Sequence, residues 1–234
     1  KQHQAEYYRR LHAVRTDGDW EGWVGFFLEG VAAAATQAER GIVAIASLVE
    51  PLAVAVHGVD RAHVREADRV LIIGAGPIGL AIGAVLRGRG IAYDITARYP
   101  HQQQAAERLG GKLRADGHYD VVMDAIGSAA SLKQSTTRVK PMGRIGLVGM
   151  FWEPTKLEQA FWAKEAVLIP AAGYYCKSPS RSFDEARTLL HQYPDIAQAL
   201  ITHRYPLDGV TEAFETAGNR AAGAIKVVFD IGKR

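Results

Sequence analysis

VLIIGAGPIGLAIGAVL, residues Val70 to Leu86, is the stretch on which the reading of this chain turns. Val70–Ala75 is a short, almost wholly apolar run, the pattern of a central parallel strand buried on both faces. Gly74, Gly76 and Gly79 follow in G-x-G-x-x-G spacing, with Pro77 and Ile78 between them, and Ile78–Leu86 reads as a helix. In that setting the first glycine permits a tight turn. The second lets backbone approach a pyrophosphate, and the third lets helix and strand pack closely. The helix N-terminus then offers N–H groups and a positive partial charge to phosphate. A turn that keeps this fold and binds nothing remains the alternative reading.

Strand and helix keep alternating on the C-terminal side. Strands are predicted at Tyr93–Ala97, Tyr119–Gly127 and Arg144–Phe151, and another ends the run Lys164–Tyr174. Helices are predicted at Gln102–Leu109 and Ser131–Val139 between them. This order implies an α/β fold with a doubly wound parallel sheet, a Rossmann domain over residues 46–173. Beyond it, residues 174–234 carry predicted helices at Phe183–His191 and Leu207–Ala217 and a last strand at Ala224–Ile231. Residues 1–45 form a third region. A first helix bears Tyr7, Leu11 and Val14 and is broken by Thr16–Trp20. A second, N-capped by Asp19, carries Trp23, Phe26, Phe27 and Val31 on one face and has Gly41 as its stop.

The end of the second strand is where a dinucleotide's adenosine ribose would be read. NAD-type domains place Asp or Glu there, about 20 residues after the turn. Here the strand ends on Ala97 and Arg98, and Asp94 lies too early, inside the strand. Arg98 can form a two-pronged contact with a 2′-phosphate, and Tyr99 can stack on adenine, which favours NADP over NAD. The alternative for Arg98 is a solvated surface charge.

Composition narrows the classes. Among 234 residues, 28 Lys and Arg against 25 Asp and Glu leave a formal charge of +3, too mild to argue for a nucleic-acid partner. The one cysteine, Cys176, excludes an intrachain disulfide framework and a cysteine-rich zinc site, and reads as a small semi-buried residue. No apolar run reaches the roughly 18 residues of a membrane span. The expectation is a cytoplasmic protein, read as a fragment because it begins at Lys1.

The motifs SLVEPLAVAVHGVDRA (Ser47–Ala62), VLIIGAGPIGL, AAERLGG (Ala105–Gly111), DVVMDAIG (Asp120–Gly127), GRIGLVGMF (Gly143–Phe151) and ITHRYPLDGVTEAFETAGNRAAGAIKVV (Ile201–Val228) occur in one order and spacing. Together they resemble the zinc-type medium-chain dehydrogenase/reductase family, nearest its sorbitol and threonine dehydrogenase branch, over residues 46–234. The resemblance implies hydride transfer between NAD(P)(H) and an alcohol or ketone. It implies that Gly74, Gly76 and Gly79 form the pyrophosphate turn and that Ala125, Ile126, Gly149, Met150 and Ala172 line the nicotinamide. It implies that Lys226 approaches the pyrophosphate, against a surface-charge alternative, and that Glu50 stands at the catalytic zinc position. Family members also dimerise through the sheet edge near Val167–Ala172, which implies a homodimer of marginal stability.

The departures weigh as much. The family's N-terminal catalytic half, with its zinc-ligand cysteine and Gly-His-Glu motif, has no counterpart in this sequence. Zinc needs about three protein ligands and an open position. Glu50 alone cannot hold it, and His57 reads as a helix-surface or core histidine. The expectation is a cofactor-binding portion that is inactive alone and holds no zinc. Glu6–Ala32 resembles a C-terminal segment of Fic/DOC proteins, without their HPFxDGNGR loop, so the alternative is a non-catalytic dinucleotide-binding or interaction module made by fusion.

Overall fold

The computed structural model describes residues 4–171, 173 and 179–230. They fall into two units, residues 1–43 and 44–234. The first contains helix α1 (Gln4–Asp17) and the start of α2 (Trp20–Arg61). The break between them is Gly18, at φ 68°, and Asp19, whose carboxylate caps the new helix by accepting from the Gly22 N–H at 2.9 Å. Within this unit Tyr7 meets Trp23 edge to face, ring centroids 5.1 Å apart, and Arg10 donates to the Gly22 carbonyl at 3.2 Å.

The expected stop at Gly41 is not one: α2 runs on to Arg61 through Pro51. A glycine inside a helix costs about 1 kcal/mol relative to alanine, and a proline more. Burial outweighs both. Leu48, Leu52, Val56 and Val59 are fully enclosed or nearly so in the main core, and burying such side chains stabilises by about 1.5–3 kcal/mol each.

The second unit is built on a five-stranded parallel sheet in the order β2-β1-β3-β4-β5. The strands are β1 (Val70–Ile73), β2 (Tyr93–Thr96), β3 (Tyr119–Asp124), β4 (Val139–Leu147) and β5 (Val167–Pro170). Successive residues of β1 point to opposite faces, and both faces are covered. Val70 and Ile72 join the core that includes α2, whereas Leu71 and Ile73 join a second core with Tyr119, Val122, Val139 and Ile145. That is why the strand reads as continuous apolar sequence.

Three helices cross between these strands: α3 (Pro77–Gly88), α4 (Pro100–Arg108) and α5 (Ala129–Arg138). A short α6 (Gln159–Ala163) precedes β5. On the outer side of β2, where the six-stranded dinucleotide-binding order has a further strand, one residue serves. Lys112 bridges Asp94, giving its carbonyl to the Ile95 N–H and its N–H to the Tyr93 carbonyl. β4 begins and ends earlier than the sequence predicted. The Val148 and Gly149 N–H groups both turn onto the Asp124 carbonyl (2.9 and 2.8 Å), so the chain leaves the ladder before Gly149.

The last region holds α7 (Pro179–Gln192), α8 (Asp195–Leu200), β6 (Ile201–Pro206), α9 (Val210–Gly218) and β7 (Lys226–Asp230), with β6 and β7 paired in parallel. Ion pairs tie it to the Rossmann core. Arg87 grips both oxygens of Asp195 (2.7 and 2.8 Å), and Arg89 links Glu185 of α7 to Asp60 of α2 (each 2.8 Å).

Two outcomes follow from this packing. A Cβ at Gly83 would come within 2.8 Å of the Tyr93 ring, and Tyr93 is buried with its hydroxyl bound to the Leu109 carbonyl at 3.0 Å. Gly83→Ala should therefore destabilise by about 1–3 kcal/mol in urea unfolding, against its helix propensity; a more stable variant would show that this contact yields. The Arg87 guanidinium, by hydrogen bonding, holds the Asp195 carboxyl below the usual carboxylate range. A depressed folded pKa contributes stability above the unfolded value near 4, lost as pH falls through the folded one. Asp195 is 37% exposed, so Asp195→Asn should cost about 1 kcal/mol or less at neutral pH. The gap should close in unfolding curves taken below about pH 4, and a gap independent of pH would contradict the assignment.

Candidate functional site

The carboxyl ends of β1, β2 and β3 open onto one cavity of about 650 Å³. It lies where the sheet order reverses around β1, the place at which doubly wound sheets leave a crevice. Its floor is the turn after β1. Gly74 adopts φ 98°, and a Cβ there would strike the Ile126 side chain. A Cβ at Gly79 would fall on the Gly74 carbonyl oxygen. Gly76, by contrast, faces open space, with nothing within 4 Å of where a Cβ would be. The three glycines thus differ in kind: one for the turn, one for access and one for packing. Gly76 is also the N-cap of α3, with Pro77 in the first helical position, where a missing N–H is harmless. The following N–H groups lack a carbonyl four residues back in the helix.

The second wall comes from β2. Thr96 accepts the Gly74 N–H on its hydroxyl oxygen at 3.0 Å, tying the turn to the neighbouring strand. Ala97, Arg98 and Tyr99 follow. Arg98 is exposed, with its guanidinium 5.5 Å from the Tyr99 ring centre, and the His101 ring lies near-parallel to that of Tyr99 at 5.6 Å. The Gln102 side chain accepts the Tyr99 N–H at 3.4 Å, and Gln103 donates to the Ala97 carbonyl at 3.3 Å, so the bend is held at both ends. Among the described residues lining the cavity, Arg98 is the one charged side chain.

The third wall is the turn after β3. Asp124 is fully buried, and one of its oxygens accepts from the N–H groups of Ile126 (2.9 Å) and Gly127 (3.0 Å). Gly127, at φ 75°, and Gly149 pack backbone against backbone, so neither tolerates a Cβ. Ala125 and Ile126 line the cavity. The remaining side is closed by Gln134 of α5 and by Ala217, Ala224 and Ile225 of the C-terminal region.

Eight of the residues singled out in the sequence come together here: Gly74, Gly76, Pro77, Ala97, Arg98, Tyr99, Ala125 and Ile126. Ile78 and Gly79 sit behind the turn, Ile78 against the core and Gly79 against Gly74. Gly149 and the half-exposed Met150 adjoin Gly127 outside the lining. Lys226 begins β7 next to Ile225 and is not among the lining residues. Ala172 and Cys176 lie outside the described residues. Asp94 is buried and bound to Arg114 (2.9 Å) and the Tyr119 hydroxyl (2.8 Å), away from the cavity; burial and that bond push the Tyr119 phenol up to about 12. Thr96, Gln102, Gln134, Ala217, Ala224 and Ile225 were not foreseen. The first two adjoin residues that were, and Ala224 and Ile225 sit in the AIKVV motif. Gln134 and Ala217 carry no sequence signal, because only tertiary packing brings them to the cavity.

Glu50 is exposed on α2. His57, seven residues on, is buried, and burial followed by the nearby Arg61 charge holds its imidazole below the usual value. No three His, Cys, Asp or Glu side chains gather as a metal site among the described residues. No helix among them is long and apolar enough to cross a membrane.

The family model described as glucose dehydrogenase C-terminus matches residues 43–231. L-Arabinitol 4-dehydrogenase of Talaromyces emersonii is 31% identical over 211 residues, covering 77% of this chain and 53% of its own. The structure of 2R,3R-butanediol dehydrogenase from Bacillus subtilis superposes with a TM-score of 0.66 at 25% identity, over 77% of this chain and 56% of that one. A dehydrogenase from Sinorhizobium meliloti 1021, described as a candidate zinc-binding enzyme bound to NADP, gives 0.64 at 25% identity over 79% and 58%. The chain spans about half the length of the curated relatives it matches. With that family model matching most of its length, the chain belongs to the glucose dehydrogenase C-terminus family, the C-terminal portion of zinc-type medium-chain alcohol and polyol dehydrogenases.

Proposed function

We propose that this chain is the cofactor-holding portion of an NADP(H)-dependent oxidoreductase acting on an alcohol or its ketone. The observation that carries the reading is the cavity over the Gly74–Gly79 turn, with Arg98 as its one charged lining residue and no carboxylate among the described lining residues. An acid at that position would bind the ribose hydroxyls of NAD and repel a 2′-phosphate. A guanidinium does the reverse, and its fork matches phosphate geometry.

In this reading the first turn of α3 holds the pyrophosphate through backbone N–H groups, with Lys226 approaching it from β7. Tyr99, steadied by its stack on His101, carries the adenine. Ala125 and Ile126, with Gly149 and Met150 beyond them, shape the nicotinamide end and keep water from one face of the ring. The bound nicotinamide would supply or accept the hydride. These residues bind and orient; proton transfer and polarisation of the substrate oxygen draw on protein beyond them, so turnover by this chain alone is not expected. The outer strand β5, unpaired on its far side among the described residues and half-exposed at Val167, supports pairing of two copies. A single cysteine supports a reducing, cytoplasmic setting.

A second reading keeps the binding and drops the catalysis: a dinucleotide-binding or interaction module in which the Fic-like N-terminal segment is fused to a dehydrogenase remnant. The separate helical unit over residues 1–43 favours it. Turnover by the chain with added zinc and an alcohol would exclude it.

Calorimetric titration with NADP(H) and NAD(H) tests the first reading. NADP should bind more tightly, and Arg98→Asp should weaken it at least tenfold while leaving NAD unchanged or improved; preference for NAD, or no binding of either by folded protein, would overturn it. Thr96→Val removes the acceptor of the half-buried Gly74 N–H, a loss of about 1 kcal/mol. Weaker binding of both dinucleotides is expected, and unaltered affinity would show that the tie does not shape the site.

A further inference from the structure

The N-terminal unit presents an apolar seam that its own hairpin does not use. Trp20, Val24, Phe27 and Val31 recur at intervals of four, three and four, so they form one stripe along α2. They are 64%, 48%, 57% and 50% exposed, and Leu28 beside them is 58% exposed. The side of α2 that meets α1 is a different one, carrying Trp23 and Phe26. A stripe with this spacing matches another helix, since 4-3-4 recurrence is the repeat of knobs-into-holes packing.

We propose that this seam is a self-association surface, on which the α2 seam of a second copy of the chain packs to convert two helical hairpins into a four-helix arrangement. Size is the first support. Counting ~200 Å² for an aromatic side chain and less for the aliphatic ones, the exposed parts of the five residues sum to roughly 500 Å² per copy. Full burial on both copies comes to roughly 1,000 Å², about the size that a specific interface has to reach. Charge is the second. The first 31 residues carry four Lys and Arg and five Asp and Glu, near neutrality, and none of the charges lies on the seam, so two copies meet without repulsion. The third is the helix itself. Gly22, Gly25 and Gly30 stand within its first eleven residues, each lowering helix propensity.

The surface lies in a different unit from the β5 edge, so the two contacts can be separated. Sedimentation equilibrium of the full chain at tens of micromolar should show self-association. Val24→Glu with Phe27→Glu should weaken that association at least tenfold, both in the otherwise unaltered chain and in a Val167→Asp background. Glu29→Ala, off the stripe, should leave it unchanged. Far-UV circular dichroism and dinucleotide titration report whether the substituted chains keep their fold. A monomeric unaltered chain, or an association constant indifferent to the Val24 and Phe27 substitutions in folded protein, would overturn the proposal. So would loss of all association on Val167→Asp alone.

Discussion

A methyl group at residue 79 would fall on the Gly74 carbonyl oxygen, and most of this molecule depends on that methyl being absent. Only then can α3 start directly under the end of β1 and keep its first N–H groups pointed over the sheet. The constraint passes outward through backbone hydrogen bonds. Gly74 gives its N–H to Thr96 at the end of β2, and Ala125 gives its N–H to the Ile73 carbonyl at 3.0 Å. Three strand ends are thereby fixed against one another. The Asp124 carboxylate continues the chain of ties by holding the Ile126 and Gly127 N–H groups. The cavity is what remains above these fixed ends, and its shape owes more to backbone than to side chains.

The C-terminal region completes the enclosure and is oriented by ion pairs at its margins. The Arg87–Asp195 and Arg89–Glu185 pairs fasten α7 and α8 beside α3, and from there the chain returns to place Ala224 and Ile225 over the crevice. Because each arginine is partly exposed, these pairs contribute modestly to stability; their geometry fixes orientation. The core behind them, from Leu48 on α2 to Leu200 on α8, supplies the larger share through burial.

What could be read from the sequence was what local patterning controls. Val70–Ile73 announced a strand buried on both faces, and the spacing of Gly74, Gly76 and Gly79 announced the turn that the structure contains. The end of β2 was legible to within a residue, Ala97 being expected and Thr96 found, because the strand is short. Features set by distant partners were not. α2 passes through Gly41 and Pro51 because its later residues are buried in the core of the second unit, which no local propensity reveals. β6 and α8 were missed: Ile201–Pro206 alternates only weakly, and Asp195–Leu200 is little more than one helical turn. β4 was placed too late because Val148 and Gly149 look like strand but spend their N–H groups on the Asp124 carbonyl.

On the reading proposed above, the backbone of this scaffold holds a dinucleotide, and Arg98, the one cation among the described lining residues, meets its 2′-phosphate. The most direct test is a residue-resolved NMR titration of the isotope-labelled chain with NADPH. The account predicts saturable shifts concentrated on the amides of Gly74–Leu80, Ala97–Tyr99 and Ala125–Ile126. Shifts confined to other surfaces, or none at millimolar cofactor in a folded sample, would contradict it.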